Sequence, residues 1–236
     1  MTETIRLGLP VLAPAQAQKH VTVNEGLARL DALVQLSMVG VDIVVPPVSP
    51  AEGDVYGVGE VATGAWAGRD GQIALFLNGG WAFITPASGW QGWSEDAGTR
   101  IVFDGRAWIE GAGALSAHGA GFVHRVVEID HAISAGVTST VTAALPGGTT
   151  VYGVTARVVS TLGGASSLDI GVSGSPTRYG SGIGTAQGSW ARGLTGSPLA
   201  YYADTDLVLT PTGGAFAGTG VIRLAIHLAE LSLPRA

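Results

Sequence analysis

The sequence contains no cysteine and only one lysine, Lys19, among its 236 residues. The absence of cysteine excludes disulfides, cysteine–zinc sites and thiol nucleophiles. Charged residues make up only 13% of the chain, and its formal net charge is −6. Because nucleic acids and anionic membranes attract basic proteins, we expect neither as a partner of this acidic chain. So few charges also favour burial of part of the surface in an oligomer.

Long apolar runs and familiar catalytic or nucleotide-binding motifs are absent as well. No stretch of about 18 apolar residues occurs, so no transmembrane helix is predicted. Residues 1–18 lack a basic region followed by an apolar core, so we expect no secretory signal peptide. The Gly-x-Ser-x-Gly elbow, the P-loop and the complete Gly-x-Gly-x-x-Gly fingerprint are missing, although the chain contains 37 glycines. We therefore interpret the glycines as turn residues.

This composition is typical of many short strands joined by turns. We predict a mainly β fold with an N-terminal helix, a Trp-rich β-hairpin section and a C-terminal antiparallel β-sandwich that is jelly-roll-like. The predicted parts are an attachment or oligomerisation segment, a Trp-rich module, a Gly/Ala-rich linker and a receptor-binding sandwich, at 1–45, 46–110, 111–121 and 122–236.

One helix is predicted before the strands begin. Thr22 and Glu25 have the spacing of a capping box, in which each side chain satisfies a free backbone N–H of the other residue. Leucine and valine follow at helical spacing, and Gly40 is a candidate C-terminus. These signals predict a helix over 22–39, which either packs on its own domain or mediates self-association.

A repeat organises the Trp-rich section. In each copy a Trp, a Gly, a Phe and a Trp follow one another at five-residue intervals, as Trp66, Gly71, Phe76 and Trp81 and then as Trp93, Gly98, Phe103 and Trp108. An Asn-Gly or Asp-Gly dipeptide follows each Phe and favours the type I′ turn of a hairpin. We predict hairpins of 72–77 with 80–85 and of 99–103 with 106–110. The turn comes one residue later in the first copy, so the two registers need not match.

The last part of the chain has the pattern of a sandwich. In the terminal strand, 221–228, Ile222 and Leu224 share one face with other apolar residues, whereas Arg223 and His227 lie on the opposite face. About six to eight strands at this spacing predict an antiparallel sandwich or jelly roll.

Two stretches resemble a known family. The segment RLGLPVLAPAQAQKHVTVNEGLARLDALVQL, at 6–36, and the later ATGAWAG, GGWAFITPASGWQGW and FDGRAW segments carry the first resemblance, which covers about 5–110. They resemble uncharacterised domains found in phage tail-fibre or adhesin proteins and in the head spikes of gene transfer agents. Those agents are phage-like particles that carry host DNA between bacteria. The TRYGSGIG stretch and the VIRLAIH strand look like the domain that often follows.

The resemblance implies adhesion. Spikes or fibres of this kind bind cell-surface polysaccharide, and such particles usually carry trimeric fibres. The resemblance includes no catalytic motif, so it implies no catalytic residue in this chain, and it assigns no binding residue either. The implied location is the surface of a virion-like particle that assembles in the cytoplasm.

Two groups of residues could bind sugar, because sugar recognition needs flat aromatic faces and a few planar polar groups. The first group is Trp90 and Trp93, in a polar segment beside Glu95 and Asp96. The second group lies in predicted loops and turns of the sandwich and comprises Arg178, Tyr179, Trp190, Arg192, Tyr201 and Tyr202. The alternative for both groups is packing in the core or in a subunit interface.

Metal and cofactor sites are not indicated. Asp204 and Asp206 supply too few oxygens for calcium, and the five histidines show no metal-binding spacing. We therefore predict no cofactor, no metal and no catalytic residue. The favoured hypothesis is a non-enzymatic, trimeric host-recognition subunit that binds surface polysaccharide and contacts other structural proteins of its particle. The alternatives are a polysaccharide depolymerase of the same particle and a purely structural connector.

Overall fold

The computed structural model of the protein describes residues 3–12 and 19–235, and for 19–22 it describes the backbone alone. The chain divides into two compact units, Met1–Ala117 and His118–Ala236, and both consist mainly of β-strands, as predicted. The elements of the first unit, apart from a short 3-10 helix at Gly64–Trp66, are α1 Lys19–Leu33, β1 Ser37–Met38, β2 Gly40–Ile43, β3 Val55–Val58, β4 Ile73–Leu77, β5 Gly80–Ile84, β6 Gln91–Ser94, β7 Thr99–Phe103, β8 Trp108–Glu110 and β9 Ala112–Leu115.

The helix differs from the predicted 22–39 at both ends. It begins at Lys19, so Thr22 lies inside it and does not cap it. It ends at Leu33 because Gln35 takes a φ of 57° and the following residues pair as β1 with β6. Gly40, predicted as the helix terminus, belongs to β2. Pairing with a strand distant in sequence thus overrides the local helical pattern.

The first unit contains two four-stranded sheets, ordered β1-β6-β7-β8 and β2-β3-β4-β5. The first strand of each sheet comes from 37–43 and pairs in parallel with a strand of the Trp-rich section. Residues of the predicted segments 1–45 and 46–110 therefore share one unit. Its largest buried cluster joins the end of the helix to both sheets and consists of Ala32, Leu36, Met38, Val55, Ile73, Leu75, Ile101, Phe103 and Trp108.

The first predicted hairpin is confirmed. Strands β4 and β5 pair with Leu77 opposite Gly80, and the positive φ angles of Asn78 and Gly79, 53° and 74°, form the expected tight turn.

The second hairpin forms, but its turn was predicted wrongly. Phe103 pairs with Trp108, so the connection is 104–107 and not a two-residue turn at Asp104-Gly105. The Asp104 side chain accepts hydrogen bonds from the N–H groups of Arg106 and Ala107, both at 2.9 Å, which stabilises the longer loop.

The longer loop restores the register between the two copies of the repeat. Phe76 lies opposite Trp81 with ring centroids 5.0 Å apart, and Phe103 lies opposite Trp108 with centroids 5.2 Å apart. The repeated Phe and Trp are therefore a cross-strand aromatic pair in each hairpin. The first tryptophans of the two copies have different environments, because Trp66 is buried in the 3-10 helix whereas Trp93 is half-exposed on β6.

A buried carboxylate holds the N-terminal segment 3–12 on the helix. Asp31, on α1, accepts hydrogen bonds from the Thr4 hydroxyl at 2.7 Å and from the N–H groups of Arg6 and Leu7 at 2.8 and 2.6 Å. Burial alone would raise the pKa of Asp31, but these hydrogen bonds outweigh burial and lower it. Asn24, about two turns before Asp31 on the helix, accepts a hydrogen bond from the N–H of Leu12 and donates one to its carbonyl oxygen, both at the surface.

Replacing Asp31 by alanine is expected to lower the free energy of unfolding by about 3 kcal/mol, because three donors lose a charged acceptor. Urea unfolding of the purified protein measures this loss, and Asn24→Ala, which removes exposed hydrogen bonds, should cost less than about 1 kcal/mol. The lowered pKa makes the Asp31 contribution complete above pH 3.8 and lost as pH falls through the folded-state value. Asp31→Asn should remove that acid-dependent component, and an unchanged acid profile would contradict the assignment.

The second unit is a jelly roll. Its strands are β10 Gly121–Ala132, β11 Ser139–Leu145, β12 Thr149–Ser160, β13 Ser167–Val172, β14 Ser175–Gly184, β15 Trp190–Tyr201, β16 Thr205–Thr212 and β17 Val221–Leu231. Within this unit they form two antiparallel sheets, ordered β15-β12-β17-β10 and β11-β16-β13-β14. This is the order of an eight-stranded jelly roll, in which two sheets enclose one core. The predicted β-sandwich is thereby confirmed.

The core of the jelly roll follows the alternation of its strands. Ile222, Leu224 and Ile226 of β17 are fully buried, and so are Leu207 and Leu209 of β16 in the other sheet. Each such side chain contributes roughly 1.5–3 kcal/mol through the apolar surface that it removes from water. The side chains between them on β17 face outward.

The Gly/Ala-rich stretch 111–121, predicted as a linker, contains regular structure. Ala112 is buried within β9, and Gly121 begins β10. The boundary between the two compact units falls after Ala117, inside this stretch.

Candidate functional site

Four of the predicted sugar-binding residues lie on strands and not in the loops expected for them. Arg178 and Tyr179 belong to β14, and Trp190 and Arg192 belong to β15. Glycine and serine suggest loops locally, but here the small residues let backbones approach closely. A Cβ on Gly193 would lie 1.9 Å from the Tyr179 carbonyl oxygen and 2.6 Å from that of Val154. Glycine therefore allows β15 to pass between its two neighbours.

Two of the predicted residues are in the core. Tyr179 and Tyr201 are almost fully buried, and their hydroxyl oxygens lie 2.8 Å apart in a mutual hydrogen bond. Burial raises the pKa of Tyr179, and the hydrogen bond to Tyr201 raises it further, so this phenol stays neutral. These tyrosines pack the jelly roll, which is the alternative considered for them.

The two remaining residues of this group lie elsewhere. Arg178 neighbours Tyr179 on β14 and, by strand alternation, points to the opposite face of its sheet. Tyr202 is 94% exposed, immediately after the end of β15 opposite to Trp190. The structure thus separates the predicted group and leaves Trp190 and Arg192 together.

The tryptophans of the other predicted group have different environments in the first unit. Trp90 packs against the buried cluster of that unit, whereas Trp93 is 48% exposed on β6. Glu95 accepts a hydrogen bond from the Ser37 hydroxyl at 2.6 Å, a contact that joins β1 to the end of β6. Trp93 is therefore the member of this group that is available to a ligand.

Around Trp190, the strands β15, β12, β17 and β10 carry aligned side chains on the outer face of their sheet. Trp190 lies opposite Arg157, Arg157 opposite Arg223, and Arg223 opposite Asp130. The next row of outward-facing residues consists of Arg192, Thr155, Ala225 and Glu128. We call this surface, formed by Trp190, Arg192, Arg157, Thr155, Arg223, Glu128 and Asp130, the Trp190 face.

The residues of the Trp190 face, apart from Asp130, line a shallow depression of about 510 Å³. Ala225, which has a small side chain, lines the depression together with Trp190, Arg192 and Arg223. Trp190 is 61% exposed, and the Arg192 guanidinium carbon lies 5.9 Å from its ring centroid, within reach of a cation–π contact. The depression therefore combines an accessible indole with several planar hydrogen-bonding groups.

Ion pairs fix one side of the depression. Arg223 donates from Nε and Nη2 to both carboxylate oxygens of Asp130, each at 2.6 Å, and its Nε lies 3.5 Å from Glu128. These hydrogen bonds lower the pKa of Asp130 and raise that of Arg223. Asp130 therefore stays ionised near neutral pH, and the pair presents a planar, preorganised polar surface.

The third row of the same face contains His227 and two apolar residues. Nε2 of His227 lies 3.1 Å from the Thr155 hydroxyl, in the middle of the sheet. Leu194 and Val126 occupy the outer strands of this row and are both exposed. Beyond Leu194, residues 195–198 lie opposite Tyr152 alone, so β15 bulges out at this end.

Sequence reasoning identified Trp190 and Arg192 but missed the other members of the Trp190 face. Arg157, Thr155, Glu128 and Asp130 are distant in sequence, and only strand order aligns them with Trp190. One signal was visible, because the pattern of the terminal strand predicted that Arg223 and His227 face away from the core.

Among the described residues, no cluster of three or more His, Asp or Glu side chains could hold a metal ion. Asp204 and Asp206 instead accept hydrogen bonds from the N–H groups of Gly147 and Ala143, both at 2.8 Å. The first bond joins two connections of the jelly roll, and the second joins β16 to β11. In the part of the chain that the structure describes, no helix is long and apolar enough to cross a membrane.

The comparison with protein families concerns the first unit. Residues 23–109 match the model of a family described as "Protein of unknown function (DUF2793)". For these residues, the match confirms the resemblance to a family of uncharacterised domains. No curated protein matches the chain. Among solved structures, the chain is similar to one in the "Cyanophage Pam1 capsid asymmetric unit", at 23% identity over 50% of this chain and 91% of that one. The TM-score is 0.34, which does not establish a shared fold.

Proposed function

We propose that the protein is a non-enzymatic host-recognition subunit of a phage-like particle, of the gene transfer agent head-spike type, and that its Trp190 face binds cell-surface polysaccharide. The observation that carries this proposal is the exposed indole of Trp190 beside aligned planar polar groups in an open depression. A pyranose ring presents an apolar face that stacks on an indole, and its hydroxyls bond to guanidinium, carboxylate and hydroxyl groups. The resemblance of 6–36 to domains of spikes and fibres supports the placement on a particle.

The architecture supports binding at this position. The residues of the face lie on paired strands, so their spacing is held by backbone hydrogen bonds and not by a flexible loop. Eight-stranded jelly rolls also occur in lectin and viral capsid domains, which is an analogy of fold alone.

Binding is favoured over hydrolysis by the state of the carboxylates. A glycosidase needs a general acid whose pKa is raised so that it holds a proton near neutral pH. On the Trp190 face, the Arg223 hydrogen bonds lower the pKa of Asp130, and Glu128 approaches the same guanidinium. This arrangement suits an acceptor of hydrogen bonds from sugar hydroxyls and does not suit a proton donor.

We also propose that the subunit is a homotrimer, as the resemblance implies. Two features support self-association: the low content of charged residues, and an apolar stripe on α1 and the residue after it, where Val23, Leu30 and Val34 are exposed. Three copies would multiply the weak affinity of a single sugar site.

The test uses the purified full-length protein and capsular polysaccharide purified from the host. Retention of the protein on immobilised polysaccharide, without release of new reducing ends in the same sample, is the expected result. Sedimentation of the sample is expected to give three times the 23.8 kDa chain mass. Release of reducing ends would identify a depolymerase. A sedimenting trimer that shows neither retention nor release would overturn the proposal in favour of a structural connector.

A further inference from the structure

The charges of the Trp190 face do not balance. It contains three arginines and two carboxylates, and both carboxylates face Arg223. Among the described residues, Arg157 and Arg192 form no ion pair, although both side chains are exposed. The chain as a whole has a formal net charge of −6, so two unpaired cations flanking one exposed indole contrast with the charge of the whole chain.

Arg157 has no carboxylate of its own on this face. It lies directly opposite Arg223 on the neighbouring strand, where an acidic residue would be needed to pair with it. Asp130 and Glu128 hold the Arg223 guanidinium on the β10 side. On its other side, Arg157 lies opposite Trp190, which carries no charge and does not compensate the arginine. An anionic group bound beside Trp190 would supply the missing partner of Arg157.

The chemistry of the cations indicates which anion fits. A guanidinium presents two parallel N–H donors that match the two oxygens of a carboxylate. Arg157 lies opposite Trp190, and Arg192 lies two residues further along the same face of β15, so a ring stacked on the indole has a guanidinium on two sides. A pyranose that carries a carboxylate can stack its apolar face on the indole and direct its charge to a neighbouring guanidinium.

We propose that the polysaccharide bound by the Trp190 face is acidic, built from sugars that carry carboxylates, with the ring on Trp190 and the carboxylate on Arg157 and Arg192. This inference rests on the proposed function, because it specifies the ligand of the same face.

The experiment compares two forms of the host capsular polysaccharide: the native polymer, and a derivative whose carboxyl groups have been reduced to alcohols by carbodiimide activation and borohydride. The expected result is that reduction weakens binding by about tenfold or more, and that raising the salt concentration weakens binding of the native polymer alone. Arg157→Gln should weaken binding of the native polymer by a similar factor, and it should weaken binding of the reduced polymer less, because that polymer has no carboxylate for the guanidinium to bind.

A matched control distinguishes this site from general charge effects. Arg125, on β10, pairs with Glu230 and lies outside the Trp190 face, so Arg125→Gln removes the same charge from the same sheet. It should leave both affinities unchanged. Equal binding of the native and reduced polymers would overturn the acidic ligand while leaving polysaccharide binding intact. Binding of neither polymer would overturn the proposed function itself, and equal losses for Arg125→Gln and Arg157→Gln would show that the attraction is not specific to this face.

Discussion

Replacing Trp190 by alanine is expected to weaken binding of the polysaccharide about 30-fold or more. Aromatic anchors at the centre of a binding surface typically account for about 2 kcal/mol or more on truncation, and each 1.4 kcal/mol changes the dissociation constant about tenfold. Trp190 is the only exposed aromatic ring among the residues of the Trp190 face, and it also lies beside the Arg192 guanidinium. Because the indole is 61% exposed, its removal leaves the jelly-roll core untouched.

Titration of monodisperse protein with capsular oligosaccharides of defined length measures this loss without the contribution of multivalency. Trp93→Ala is the matched control, since it truncates another exposed tryptophan on a strand, in the first unit. Its affinity should stay within about twofold of the original, a difference of about 0.4 kcal/mol. The reverse result, with Trp93→Ala impaired and Trp190→Ala intact, would move the binding site to the first unit.

Replacing Gly193 by alanine is expected to lower the melting temperature by about 10 °C. The new methyl group would meet backbone carbonyl oxygens of β14 and β12 at once, at 1.9 Å from that of Tyr179 and 2.6 Å from that of Val154. Neither oxygen can move without shifting a strand, and overpacking of this kind costs about 3 kcal/mol at the upper end of its usual range. For a unit of this size, that cost corresponds to a fall of roughly 10 °C or more.

Differential scanning calorimetry of the purified protein measures the shift, and Gly196→Ala provides its control. Gly196 lies on the same strand, but a Cβ there would meet no atom within 4 Å. Gly196→Ala should therefore melt within about 2 °C of the original protein, as exposed substitutions usually do. If both variants melt at the same temperature, the close approach of β15 to β14 and β12 at Gly193 is wrong.

The two glycine variants also test how the binding face is positioned. Trp190 and Arg192 lie within three residues of Gly193 on the same strand. A displacement of β15 at Gly193 would carry both side chains away from Arg157 and Thr155 on β12. Oligosaccharide affinity should therefore fall for Gly193→Ala and stay unchanged for Gly196→Ala.

Local patterns in the sequence predicted much of the fold. Alternating apolar residues identified the terminal strand, and Asn78-Gly79 located the first hairpin turn correctly, because few dipeptides tolerate two positive φ angles. The second turn was predicted too short, since Asp104 also stabilises a longer loop by accepting two backbone hydrogen bonds. Local chemistry permitted both loops, and only the pairing of Phe103 with Trp108 selected between them.

The helix shows the limit of local signals more clearly. Apolar residues continue at helical spacing past Leu33, yet the helix ends there and residues within 37–43 form strands β1 and β2. The partners of these strands, β6 and β3, are distant in sequence, and their hydrogen bonds and buried side chains outweigh the modest helical preference of a few residues.

For the candidate site, the sequence by itself determined which residue types could bind sugar and placed Trp190 and Arg192 two residues apart, but it predicted a loop for them and not a strand. It also determined the acidic, cysteine-free and lysine-poor character of the chain. Only the tertiary structure decided that Tyr179 and Tyr201 are buried and that Arg157, Arg223 and Asp130 align with Trp190. The physical reason is that strand order in a jelly roll joins residues from distant parts of the chain, and long-range pairing of this kind leaves no mark on local spacing.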